Sequence, residues 1–171
     1  RYASRGLGDV YKRQLENTAQ SVTIKERLDF SCAVFDNNGD LIANAPHMPV
    51  QLGSMDASVK AVINKNRIIK KGDVFALNAP YDGGTHLPDI TVIKPIFNKL
   101  KDEILFFVAA RGHHTDVGGL TPGSMPPDSR VIEDEGVYID NFKLVENGVF
   151  KKTEISNLLL GAKYPVRALS K

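Results

Sequence analysis

Four runs rich in β-branched and aromatic residues limit what this chain can fold into: FSCAVFD (30–36), DVFALN (73–78), DITVIKPIF (89–97) and EILFFVAA (103–110). Each is bounded by Gly, Asn, Asp or Pro, the residues that end strands and build turns. The first is followed by Asn37, Asn38 and Gly39 and then by DLIANA (40–45). That order predicts a β-hairpin, because Asn-Gly supplies the positive φ that a tight hairpin turn requires. The other three runs are expected to share one sheet. EILFFVAA is apolar at successive positions and is expected to be a central strand covered on both faces.

Between these runs, APHMPVQLGS (45–54) holds two prolines and a glycine and reads as a loop. Ser54 then caps a helix in which Met55, Val59, Val62 and Ile63 recur at i, i+4, i+7 and i+8, and Lys70, Lys71 and Gly72 end that stretch. VYID (137–140) and FKLVENG (142–148) predict a second hairpin around Glu146, Asn147 and Gly148, followed by a helix in KTEISNLLLGAKY (152–164). The fold class expected is α+β: a mixed, mostly β core with a few flanking helices.

Charge and composition remove several classes of function. The formal net charge is +2, but residues 1–14 (RYASRGLGDVYKRQ) carry Arg1, Arg5, Lys12 and Arg13 against Asp9, so the rest of the chain sums to −1. No basic surplus remains to neutralise phosphates, and a nucleic-acid partner is not expected. Residues 1–14 also lack a signal-peptide core and look like translated adaptor or vector sequence, a non-native leader set apart from the domain at 15–171. The apolar run ILFFVAA (104–110) is far shorter than the ~18–20 residues of a membrane span, so no membrane partner is expected. The single cysteine, Cys32, excludes an internal disulfide, reads as a core residue and fits a cytoplasmic address. GGLTPGSMPP (118–127) resembles a loose anion-binding nest but lacks the spacing of a phosphate loop or a dinucleotide fingerprint, so no cofactor-binding residue is assigned.

Two long glycine-bearing loops carry the chemistry. APYDGGTHLPD (79–89) ends in His86-Leu-Pro-Asp89, and RGHHTDVGGLTPGSMPPDS (111–129) contains His113-His114-Thr115-Asp116, so both hold H-x-x-D. If the flanking strands are neighbours, both loops converge at one end of the sheet. Two imidazoles and a carboxylate form a donor set for a divalent first-row metal with positions left for water or substrate, and His86, Asp89 and His113 would be that set. His113 and His114 cannot both face one point in extended chain, because successive side chains alternate. One of the two is therefore expected to face substrate or to support the ligands from behind; with His113 taken as the ligand, that one is His114. The competing reading is that these histidines only hydrogen-bond turns. Asp116, His47 and Glu135 complete the candidates for proton transfer or orientation, although Glu135 closes an acidic run that also suits a solvated surface. Arg27 and Asp29 are expected to form a structural ion pair.

IKERLDFSCAVFD (24–36), APHMPVQLGSM (45–55), NAPYDGGTHLPDITVIKP (78–95), RGHHTDVGG (111–119) and PGSMPP (122–127) occur in one order, and together they closely resemble the hydantoinase B / 5-oxoprolinase family. The resemblance spans residues 15–160. It implies that 15–171 is the N-terminal part of a hydantoinase B-like domain, a fragment of a larger subunit within a hetero-oligomer. It implies a hydantoinase A-like partner with an actin-like ATPase fold, which uses ATP to phosphorylate the substrate carbonyl oxygen. The B-type part then completes ring-opening hydrolysis of 5-oxoproline or a hydantoin, a small cyclic amide.

In the related acetone carboxylases, the corresponding subunit holds manganese through residues that match His86, Asp89 and His113. The cofactors implied are thus a divalent metal here, manganese or another first-row ion, and ATP on the partner. Many relatives carry a histidine where Gln51 stands, and the RGHH form looks more like the hydrolytic branch than the carboxylase branch. Ketone carboxylation and a non-catalytic scaffold role are the two alternatives.

Overall fold

The computed structural model describes residues 10, 12–19, 21–46 and 49–167. The leader reading falls partly, and His47 wholly, outside the described residues. One antiparallel sheet of seven strands organises the chain, in the order β2-β1-β5-β4-β3-β6-β7. The strands are β1 (Phe30–Asp36), β2 (Leu41–Pro46), β3 (Val74–Leu77), β4 (Asp89–Phe97), β5 (Ile104–His113), β6 (Phe142–Glu146) and β7 (Val149–Phe150). The helical segments are α1 (residues 12–18), α2 (Val22–Lys25), α3 (Pro49–Leu52), α4 (Met55–Lys65), α5 (Ile132–Glu135) and α6 (Lys152–Leu160). The α+β class with a mostly β core is as expected.

The first hairpin forms as the sequence predicts. Asp36 Oδ1 accepts the N–H groups of Asn38 and Asp40, both at 2.9 Å, and Gly39 takes φ +87° to close the turn. The three later strand runs are adjacent as β3, β4 and β5. One face of the sheet packs on α4, where Met55, Val59 and Val62 are fully buried against Phe35, Phe75, Leu77, Ile93 and Phe107. The apolar period of α4 is thus the inner half of the main core.

Five expectations need correction. Residues 49–52 form the short helix α3 rather than continuing a loop, and β2 runs to Pro46. Ser54 stands at the N-terminus of α4 without capping it; its hydroxyl donates to Gly83 O at 2.7 Å and accepts from Arg111. The strand β5 is central but covered fully on one face and only in part on the other: Phe107, Ala109 and Arg111 are buried, Phe106, Val108 and Ala110 are half-buried, and Leu105 is 50% exposed. Its outer face carries α1, through Leu15, near Cys32 and, further along the sheet, Val137 and Ile139; an apolar groove lined by Val34, Val92 and Val108 lies on the same face.

The second hairpin turns at Asn147 and Gly148 as expected, but it pairs β6 with β7 and not with residues 137–140. Asn147 (φ +51°) and Gly148 (φ +84°) make a two-residue turn, which forces Glu146 opposite Val149. Finally, Asp29 accepts from Gln51 Nε2 at 2.9 Å, and no Arg27–Asp29 ion pair occurs among the described residues. Cys32 is a core residue as read, with burial pushing its thiol up to about 11.

Arg111 joins the sheet to the helices. It is 0% exposed, and each of its five N–H donors reaches a neutral acceptor. Nε donates to Thr91 Oγ1 (2.7 Å) on the neighbouring strand; Nη1 donates to Gln51 O (2.8 Å) and Ser54 Oγ (3.0 Å); Nη2 donates to Ser58 Oγ (2.9 Å) and Gly83 O (2.6 Å). One guanidinium thereby ties β5 to β4, α3, α4 and the loop before β4. Replacing it with an apolar chain leaves buried acceptors unpaired, each costing ~1–3 kcal/mol. Arg111→Met is expected to lower unfolding free energy by about 3 kcal/mol or more, read from urea midpoints. A loss under ~1 kcal/mol, the scale of an ordinary surface substitution, would show that this network does not hold the fold together.

Candidate metal centre

The antiparallel register of β4 and β5 builds the site. Asp89, the first residue of β4, lies directly across from His113, the last of β5, and Thr91 lies across from Arg111. These four residues alternate onto the face that carries α4. The loop entering β4 is fixed before it arrives. Asn78, fully buried, donates to Leu87 O (2.8 Å) and Val137 O (2.9 Å) and accepts from Ile139 N (2.7 Å). Gly83 (φ +81°) sits so close to α4 that an added Cβ would lie 2.5 Å from Ser58 N, which leaves only glycine able to make that turn. From the other side, His113 N donates to Asp29 O (3.0 Å), and Thr23 Oγ1 donates to His113 O (2.7 Å).

At the convergence, Asp89 is 3% exposed. His113 Nδ1 lies 3.0 Å from its Oδ1, His86 Nδ1 lies 3.2 Å from its Oδ2, and Thr85 Oγ1 donates to Oδ2 at 2.5 Å. The two imidazoles stack with centroids 5.2 Å apart, and donor atoms of His86, Asp89 and His113 all fall within 4.8 Å of one another. Burial pushes the Asp89 carboxyl up, but hydrogen bonds from His86, Thr85 and His113 outweigh it and hold the group at about 2. The hydrogen bond to Asp89 raises His86 against the opposing effect of burial, with smaller contributions from the charges of Asp89, Asp29 and Glu135. A preformed anion between two imidazoles is the donor chemistry that a divalent first-row cation takes.

The other sequence candidates fall around this cluster rather than in it. His114 follows the end of β5; its N–H donates to Pro88 O (2.9 Å), and burial, then the charge of His113, lowers its pKa so that the ring stays neutral. Asp116 is committed to the loop: it accepts from Gly118 N (2.9 Å), Arg167 N (2.9 Å) and Arg167 Nη1 (3.2 Å). Glu135 ends α5 within electrostatic range of His86.

Sequence reasoning passed over Thr85, Ser124 and the buried Arg111, and gave Asp29 only a structural ion pair. Only Thr85 had a local signal, as the hydroxyl directly before the first H-x-x-D. Gln51, 2% exposed, orients Asp29 through its Nε2, and its Oε1 has no hydrogen-bond partner among the described residues.

The electrostatics predict a pH profile for metal-free protein. Asp89 sits below its ordinary 3.8, so its contribution is present above 3.8 and is lost as pH falls toward about 2. His86 sits above its ordinary 6.5, so its contribution is complete below 6.5 and is lost as pH climbs through the higher folded value. Asp89→Asn is expected to flatten both losses, leaving the decline below 6.5 that burial of neutral His114 imposes. Urea midpoints measured with chelator across both windows check this; a variant profile with the wild-type shape would contradict it.

Comparison with known proteins adds to this geometry. The pattern of the Hydantoinase B/oxoprolinase family matches residues 5–170. 5-Oxoprolinase 1 of Arabidopsis thaliana is 52% identical over 155 residues, which cover 90% of this chain and 12% of that protein. The crystal structure of an ATP-dependent caprolactamase from Pseudomonas jessenii superposes with a TM-score of 0.80 at 31% identity, over 96% of this chain and 29% of that one. A nucleotide-free acetone carboxylase shares the fold, with a TM-score of 0.79 at 22% identity over 94% of this chain and 22% of that one. The chain therefore spans a small part of the relatives it matches. With a family pattern covering nearly its whole length and half its residues shared with a plant 5-oxoprolinase, the chain belongs to the hydantoinase B/oxoprolinase family.

Proposed function

We propose that this chain is part of a metal-dependent B-type unit that carries out ring-opening hydrolysis of a cyclic amide, 5-oxoproline or a hydantoin, after ATP-dependent activation by an A-type partner. The observation that carries the reading is the Asp89–His113 pairing across β4 and β5, with His86 brought onto the second carboxylate oxygen. His86, Asp89 and His113 would hold the metal, manganese or another first-row ion. When bound, such a cation supplies a polarising charge and lowers the pKa of water to near neutrality.

The chain's own residues do the rest. Asp89 stays ionised and keeps both imidazoles aimed, while Thr85 anchors the carboxylate. His114, neutral and beside the cluster, is a hydrogen-bonding group for substrate or water. Glu135, within electrostatic range of His86, would take a proton on that side, His47 would be an outlying proton carrier, and Asp116 would act through the turn that it locks to Arg167. In the reaction a first water oxygen would bond to the ring carbonyl carbon and the ring C–N bond would break, its electron pair going to the nitrogen, which gains a proton, to leave an acyl phosphate; a second water would then split that acyl phosphate into the carboxylate and inorganic phosphate. An unactivated lactam is a poor electrophile, which is why ATP is spent first, on the partner. Identity of 52% to a 5-oxoprolinase, against 22% to a carboxylase that shares the fold, favours hydrolysis over carboxylation.

Metal analysis of the purified protein and of His86→Ala tests the site. The wild type is expected to retain a stoichiometric divalent ion through dialysis and the variant to lose it; equal metal content would remove His86 as a ligand. Reconstitution of the whole subunit with an A-type partner, ATP and 5-oxoproline tests the reaction. Ring opening coupled to ADP formation without bicarbonate is expected, and a bicarbonate requirement would favour carboxylation. Full turnover in His113→Ala would favour the scaffold reading.

A further inference from the structure

We infer that Ser124, in the PGSMPP loop, is a positioning residue that holds the ring orientation of both His86 and His113. This rests on reading those two histidines and Asp89 as metal donors. Each imidazole presents Nδ1 to the carboxylate, so each Nε2 points away from it. Ser124 Oγ lies 3.2 Å from His86 Nε2 and 3.4 Å from His113 Nε2. A hydroxyl oxygen has two lone pairs and one proton. It can therefore accept from both Nε2–H groups when a cation takes the Nδ1 side, and donate to one Nε2 when protons occupy that side.

The loop is shaped to deliver this hydroxyl. Gly123 N donates to Thr115 O (3.0 Å), and Leu120 N donates to Asp134 O (2.9 Å). Beyond Ser124, Pro126 is buried and its carbonyl accepts from Ser129 N (3.1 Å) and Ser129 Oγ (2.8 Å). Gly123 has φ +102° with none of the described residues within 4 Å of an added Cβ, so glycine is needed there for its backbone conformation and not for space. The loop is thus pinned on both sides of a serine that is itself exposed, and packing does not account for where that side chain points.

Metal-bound histidines depend on the partner of their second nitrogen, and losing such a partner typically costs ~10–100-fold in metal affinity. Titration of Mn²⁺ into the full chain is expected to show Ser124→Ala weakened by about that factor and Ser124→Thr near wild type, with unchanged circular dichroism. Wild-type affinity in Ser124→Ala overturns the inference. If the wild type itself binds no Mn²⁺, the metal reading fails separately. The ¹⁵N imidazole spectrum then decides the role of Ser124: shifted Nε2 resonances of both rings in Ser124→Ala support it, and unchanged ones overturn it. Covalent capture of Ser124 by a fluorophosphonate would make the hydroxyl a nucleophile, and would overturn a positioning role.

Discussion

A guanidinium buried with no carboxylate against it among the described residues is the constraint on which this structure depends. Taking a cation out of water is costly, and the structure offsets that cost with five hydrogen bonds from Arg111 to neutral acceptors on four different elements. Burial pulls Arg111 down to about 10, and the charge of Asp89 opposes the fall. The cation therefore remains charged at neutral pH. Because its acceptors include Gln51 O, Ser54, Ser58 and Gly83 O, the N-terminal end of α4 and the glycine turn before His86 are set by the same group. The site inherits its rigidity from that group.

Around this hub the chemistry is a matter of register. An antiparallel pair in which one strand begins at a carboxylate and the other ends at an imidazole brings the two face to face without any special loop. The second imidazole comes from three residues upstream, where the Asp89 N–H bonds back to His86 O at 3.0 Å. The outcome is an anion ready at neutral pH, with nitrogen donors on both of its oxygens. Metal binding to such a site displaces few protons from the carboxylate, since that group is already ionised.

Sequence reasoning reached the features that local periodicity encodes. The Asn-Asn-Gly hairpin, the α4 stripe of Met55, Val59 and Val62, the three adjacent strands and the His86, Asp89 and His113 set were all legible, because each depends on spacing within one segment or on two flanking motifs. Features written by distant partners were not. Nothing in RGHH distinguishes a buried Arg111 with five acceptors from a solvated one, since those acceptors lie up to 60 residues away in the chain. Ser124 reaches the histidines through a loop with no periodic signal. The β5 run looked covered on both faces because its composition is apolar throughout, whereas actual cover depends on which segments pack there. Residues 137–140 looked like a strand because Val137 and Ile139 alternate; in the fold they are buried pegs whose backbone serves Asn78 and Val117.

The central claim is that the junction of β4 and β5 is a metal centre and not a structural cluster of histidines. A crystal of the protein soaked in Mn²⁺, with anomalous diffraction recorded above and below the manganese edge, tests it most directly. The account predicts one strong anomalous peak bonded to His86, Asp89 and His113. A map with no peak there, or with manganese held by other residues, would contradict it.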